Sequence, residues 1–190
     1  MSEIKHALAD RKDDLYETPD VAVHALMRVE KLPHRVWEPA CGRGAIVRVL
    51  RAAGHTVVAT DLVEYSSPDQ DEHGVDFTME HKAPDGIEAV VTNPPFKLGA
   101  EFGRRAIALV PQTFLLLRLD FYSSMQRDDI FDDGSGFRGI HVFANRLPMM
   151  HRDGWTGART TSNVTFAWFC WSHGYSGRPF ANCIRWQAEP

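Results

Sequence analysis

The strongest constraint on what this chain can fold into lies between residues 35 and 61. Arg35-Val36-Trp37 reads as a short strand, and it runs without a break into Glu38-Pro39-Ala40-Cys41-Gly42-Arg43-Gly44. A helix is expected over 45–53, stopped by Gly54, which can close a helix in the left-handed conformation. Thr56-Val57-Val58-Ala59-Thr60 then reads as a second strand with Asp61 at its tip. Strand, glycine turn, helix, strand and acid make a βαβ unit of the nucleotide-binding kind. Gly42 and Gly44 have no Cβ, so backbone there can approach a ligand closely. Asp61, 17 residues after Gly44, stands where a carboxylate accepts hydrogen bonds from ribose hydroxyls.

A second stretch carries reaction chemistry. Ala89-Val90-Val91-Thr92 reads as a buried strand and ends at Asn93-Pro94-Pro95-Phe96. The Asn93 side chain offers an amide oxygen that can accept from an amine. Pro94 and Pro95 have fixed φ and no N–H, so stiffly aimed carbonyls dominate there. Phe96 adds a flat ring able to stack on a base. Together the four residues suit gripping a planar exocyclic NH2 while a ring stacks beneath it. The plainer alternative is a strand end followed by a proline turn.

Composition narrows the function class. The 190 residues are 44% hydrophobic and 24% charged, which fits one globular core. No apolar run is long enough to span a bilayer, and residues 1–14 are polar with no signal-peptide core. The three cysteines, Cys41, Cys170 and Cys183, lack CxxC spacing, and the nine histidines form no HExxH pattern. That argues against a disulfide framework and against a metal site, and it points to a reducing cytoplasm. Charge is uneven. Residues 1–95 hold 10 Lys+Arg against 17 Asp+Glu, whereas residues 96–190 hold 11 against 8. The basic side chains of the second half are nearly all arginine, the better phosphate fork. A set of solvated surface arginines is the alternative reading.

Elsewhere, residues 1–15 read as a flexible polar lead. A helix is expected over 21–29, capped by Thr18 or Asp20 with Pro19 in its first turn. Residues 64–88 are acidic and turn-rich, with a short strand expected near Val75-Asp76-Phe77. Asp76 is a candidate for an adenine amino group and Phe77 for its ring, against the alternative of a solvated acidic loop. A helix is expected over 98–110, a fully apolar strand over 113–117, a helix and loop over 121–137, and strands over 139–143 and 164–171. A Gly/Pro-rich tail follows.

In this order the motifs resemble those of the class I S-adenosylmethionine-dependent methyltransferases, and within them the adenine-N6 DNA methyltransferases. The carrying residues are Tyr16-Glu17-Thr18-Pro19, the 38–44 loop, Asp61, Asp76-Phe77 and the 93–96 tetrad. Arg118, Arg146-Leu147-Pro148 and Thr165-Phe166-Ala167-Trp168-Phe169 resemble the small phage and prophage members. The resemblance covers roughly residues 16–185 and implies an α/β Rossmann-like fold: a seven-stranded, mostly parallel sheet with helices on both faces, its final strand antiparallel in a hairpin. It implies S-adenosyl-L-methionine as cofactor, with S-adenosyl-L-homocysteine as product. Tyr16, Thr18, Pro19, Glu38, Pro39, Ala40, Cys41, Gly42, Gly44, Asp61, Leu62, Asp76, Phe77 and Asn93 would form its pocket. Asn93, Pro94, Pro95 and Phe96 would carry catalysis on the adenine amine.

DNA is the expected partner, gripped by Arg118, Arg146, Arg152 and Arg159. An RNA adenine methyltransferase is the alternative, because the amine chemistry is the same. A catalytically silent cofactor-binding or nucleic-acid-binding module is the reading from a different class. The chain carries no signal for an oligomeric state. Restriction-type members have a substantial target-recognition domain. Here residues 16–190 are expected to form one catalytic domain without one, leaving the loops 123–138 and 144–162 to read sequence.

Overall fold

The computed structural model describes residues 17–123, 125–148 and 164–187. In chain order its first half contains α1 (Asp20–Val29), β1 (Arg35–Glu38), α2 (Ala45–Ala52), β2 (Thr56–Asp61), β3 (Glu72–His73) and β4 (Ala89–Thr92). The second half contains α3 (Gly99–Leu109), β5 (Gln112–Arg118), the short α4 (Asp128–Phe131), β6 (Phe137–Phe143), β7 (Phe166–Ser172) and β8 (Phe180–Ile184).

β4, β5 and β7 are buried at nearly every position, so neither face of the sheet they build can meet water. Successive side chains point to opposite faces and feed two separate cores. Phe114, Leu116, Trp168 and Cys170 pack with α1 and α2 on one face. Leu115, Leu117, Phe169 and Trp171 pack with α3 and α4 on the other. Each face is also pinned by an indole. Trp168 Nε1 donates to the Ala22 carbonyl at 2.9 Å, and Trp171 Nε1 donates to the Ile130 carbonyl at 2.7 Å.

The sheet order is β3-β2-β1-β4-β5-β7-β6-β8. Strands β3 through β5 run parallel, and β7 lies antiparallel between β5 and β6. This is the expected Rossmann-like sheet with helices on both faces, but with eight strands rather than seven, and its final strand is not the antiparallel one. β8 pairs parallel with β6 at the outer edge. The added strand is possible because Gly139 sits at φ +139°, beside a register shift in β6. A Cβ there would lie 2.2 Å from the Phe180 carbonyl oxygen. Absence of a side chain lets the tail close onto the sheet.

Two local expectations differ. No strand forms at 75–77; the Asp76 carboxylate accepts from the Thr78 N–H at 3.0 Å and from its hydroxyl at 2.7 Å, which winds residues 77–79 into a 3-10 turn. Neither Thr18 nor Asp20 caps α1. Pro19 holds the cap position, and its carbonyl accepts from the Ala22 N–H at 2.8 Å. Among the described residues no helix is long and apolar enough to cross a membrane.

Candidate active site

Three parallel strands deliver the site. Glu38 ends β1, Asp61 ends β2, and Asn93 follows the last residue of β4. The sheet grows from β1 toward β2 on one side and toward β4 on the other, so their carboxyl ends flank a crevice where ligands bind in this architecture. A cavity of about 270 Å³ lies there. Of the residues singled out in the sequence, Thr18, Glu38, Pro39, Ala40, Cys41, Gly42, Asp61, Leu62, Asp76, Phe77, Asn93 and Pro95 line it. Pro19, Gly44, Pro94 and Phe96 do not. Tyr16, Arg152 and Arg159 lie outside the described residues. Sequence reasoning missed several lining residues, among them Ile46, Val63, Tyr65, Leu98 and Phe102. Ile46 and Phe102 lie on the buried faces of α2 and α3, and their spacing marks those faces without saying what they meet.

The glycine loop is held by the neighbouring strand. Asp61 Oδ2 accepts from the Gly42 N–H and Oδ1 from the Val63 N–H, both at 2.9 Å. The Cys41 N–H donates to the Thr60 carbonyl at 3.0 Å. Gly44 has a different job from the one its motif suggests. It starts α2 at φ +83°, and a Cβ there would collide with Asp69 at 2.2 Å. Asp69 is in turn paired with Arg48 at 3.1 Å, so the acidic loop is fastened against α2 rather than left in solvent.

Glu38 is fully buried in the cavity wall. Burial pushes its carboxyl up to about 8, and the nearby Asp61 charge adds to the rise. The Thr92 side chain and the Ala40 N–H, at 3.2 Å from Oε1, pull the other way. Thr92 acts without completing a hydrogen bond of good geometry, and among the described residues Glu38 Oε2 has no hydrogen-bond partner. Glu38 is thus an acid held neutral at pH 7 with an idle acceptor at the cavity. Burial likewise pushes the adjacent Cys41 thiol well up, so it stays protonated and is no nucleophile.

At the other end of the cavity, Asp76 is exposed and Phe77 is only 2% exposed. The Phe77 ring packs edge-on to Trp37 at 4.9 Å and tilted to Phe102 at 4.8 Å, so it forms a wall rather than an open shelf. Asn93 Nδ2 donates to Thr18 Oγ1 at 3.0 Å. That bond fixes the amide and leaves Oδ1 as the atom that can accept from an amine. Thr18, expected as a cap or cofactor contact, also positions Asn93.

The tetrad divides two spaces. Asn93 and Pro95 line the first cavity, whereas Phe96 lines a second cavity of about 480 Å³ with Arg118, Phe121 and Arg127. The Phe96 ring rests against Phe166 at 5.8 Å. Arg118 is paired with Asp120 at 2.6 Å. Arg146 is exposed and lines neither cavity.

One histidine lies within reach of two other potential metal ligands. Glu30, His141 and Cys170 form a buried cluster between α1, β6 and β7. Glu30 binds His141 Nε2 at 2.8 Å and Arg138 at 2.9 Å. Burial raises the Glu30 carboxyl, but His141 and Arg138 outweigh it and hold it below the usual range. The Arg138 guanidinium already neutralises this carboxylate, so the cluster is an ion-pair network joining α1 to the sheet.

No described protein family and no curated protein matches the sequence. Solved structures do match in fold. A protein of Pyrococcus horikoshii, named provisionally as an RNA methyltransferase, superimposes with a TM-score of 0.59 at 10% identity, over 91% of this chain and 92% of its own. A dimethyladenosine transferase from Plasmodium falciparum superimposes with a TM-score of 0.53 at 13% identity, over 83% and 62%. The magnesium protoporphyrin IX methyltransferase of Synechocystis, solved with S-adenosylmethionine bound, gives 0.52 at 16%, over 82% and 77%. The chain has the class I methyltransferase fold.

Proposed function

We propose that the chain transfers a methyl group from S-adenosylmethionine to the exocyclic amine of adenine in a nucleic acid. The observation that carries this reading is the placement of residues 93–96 as a wall between two cavities, Asn93 facing one and Phe96 the other. A nucleotide cofactor and a target base need adjoining but separate seats, and the amine must be gripped where they meet.

The first cavity suits the cofactor. Glu38 has an idle buried oxygen for the ammonium of its methionine end. Asp61, lining the cavity at the tip of β2, stands where ribose hydroxyls would donate, and Leu62 and Asp76 stand beside the adenine end. When bound, S-adenosylmethionine supplies an electrophilic methyl group. The chain's own task is the amine. An aromatic amine is a poor nucleophile because its lone pair is delocalised into the ring. Asn93 Oδ1 and the Pro94 carbonyl accept its two N–H bonds, favour a more tetrahedral nitrogen and expose the lone pair. Phe96 stacks on the base, and positioning supplies much of the rate. A base inside a duplex is out of reach of such a pocket, so it is flipped out or single-stranded beforehand.

DNA is the favoured substrate, because the tetrad and the 38–44 loop resemble the DNA adenine enzymes. RNA is the second reading, supported by the name of the Pyrococcus horikoshii structure with this fold. The test is methyl transfer from labelled S-adenosylmethionine to duplex DNA, single-stranded DNA and RNA, followed by nucleoside mass spectrometry. The expected product carries the methyl on adenine N6. Predominant methylcytosine, or no transfer to any of the three, refutes the reading.

A further inference from the structure

The second cavity is cationic in a chain of net charge −4. Lys97, Arg118 and Arg127 line it against the single acid Asp120. The acid of this cavity, Asp120, and Asp129, two residues after Arg127, are both engaged elsewhere. Asp120 pairs with Arg118 at 2.6 Å, and Asp129 is held by Arg104 through two bonds at 2.6 and 2.9 Å. Among the described residues neither Arg127 nor Lys97 has a carboxylate within pairing distance. The Arg127 guanidinium carbon sits over the Phe121 ring, 4.3 Å from its centroid, and among the described residues its buried Nε has no acceptor. A guanidinium stacked this way keeps its edge N–H groups in one plane, the geometry a phosphate accepts.

We propose that this cavity is a phosphodiester subsite, in which Arg127 and Lys97 hold a phosphate flanking the base gripped at Asn93. This rests on the proposed function and deepens it: the substrate is a nucleotide within a strand rather than a free base or nucleoside. Phe96 supplies apolar surface for the sugar and base, and the cavity volume of about 480 Å³ leaves room beyond the phosphate itself.

The test uses the full chain and a short oligonucleotide with a single adenine, as DNA and as RNA. The phosphates flanking that adenine are replaced one at a time by neutral methylphosphonate. Methyl transfer is followed, and binding is read in parallel by fluorescence anisotropy. One replacement should lower binding and kcat/KM roughly tenfold, and Arg127→Gln should abolish that sensitivity while flattening the log–log salt slope by about one. Arg127→Lys keeps the charge and should restore part of the effect, which separates a lost contact from a folding defect. If the parent oligonucleotide is methylated but neither replacement matters, the subsite is wrong and the function stands. If no methyl moves but binding still depends on one phosphate and on Arg127, the subsite stands and the function is wrong. If S-adenosylmethionine binds and no oligonucleotide does, both fail.

Discussion

Glu38 should make cofactor binding release a proton. Its carboxyl titrates near 8 in the folded protein, so at pH 7 roughly nine-tenths of the molecules hold it neutral. Pairing with the ammonium of S-adenosylmethionine requires the carboxylate. Calorimetry in buffers of different ionisation enthalpy should therefore report proton release on cofactor binding at pH 7 that shrinks as pH rises through the Glu38 titration. The same group sets a sign for stability. Its folded pKa is raised above the ordinary 4.5, so the folded state binds the proton more tightly than the unfolded chain. Its penalty is absent below about 4.5 and grows through the window from 4.5 to about 8, at roughly 1.4 kcal/mol per pH unit. The whole window is worth at most on the order of 5 kcal/mol. Glu38→Gln is a neutral isostere. It should remove this slope from urea denaturation curves measured between pH 5 and 9, and it should bind cofactor weakly with no proton release. Tight cofactor binding by the parent with no proton release at pH 7 would refute the neutral buried acid.

Three further outcomes are expected. Asn93→Ala should lower kcat by on the order of a hundredfold or more, with a smaller effect on cofactor affinity, because the lost acceptor matters most as the amine changes geometry; parent-like turnover in single-turnover kinetics would reduce residues 93–96 to a proline turn. Phe96→Ala should weaken oligonucleotide binding by about 1–3 kcal/mol and leave cofactor binding by calorimetry unchanged, since Phe96 lies outside the first cavity. Gly139→Ala should cost more than about 3 kcal/mol in chemical denaturation, from the clash with Phe180 and the strained φ together; a near-neutral change would show that β8 is not docked as described.

Much of this arrangement is readable before folding. The strands at 35–38, 56–61 and 89–92 follow from β-branched runs bounded by glycine, acid and proline, and the carboxyl-end residues Glu38, Asp61 and Asn93 meet as the βαβ pattern requires. What stayed hidden depends on long-range contacts. The bond from Asn93 to Thr18 spans 75 residues and has no local signature, so Thr18 read as a helix cap. The eighth strand depends on a missing Cβ at Gly139, some 40 positions before the strand it admits. Arg127 looked like one surface arginine among many, because its place over the Phe121 ring, in a cavity whose acid pairs with Arg118, has no local signature. Phe77 carried the residue type for base stacking, but its burial against Trp37 and Phe102 has no local signature.

The wall formed by residues 93–96 also bears on kinetics. Among the described residues the two cavities share no lining side chain. Neither ligand has to complete the other's seat, and neither blocks the other's way in. Initial-velocity patterns for such an arrangement are those of a random-order sequential mechanism, with either ligand able to arrive first. Under the proposed function the demethylated cofactor would leave while the strand stays bound, and one encounter with a nucleic acid would serve several adenines in succession.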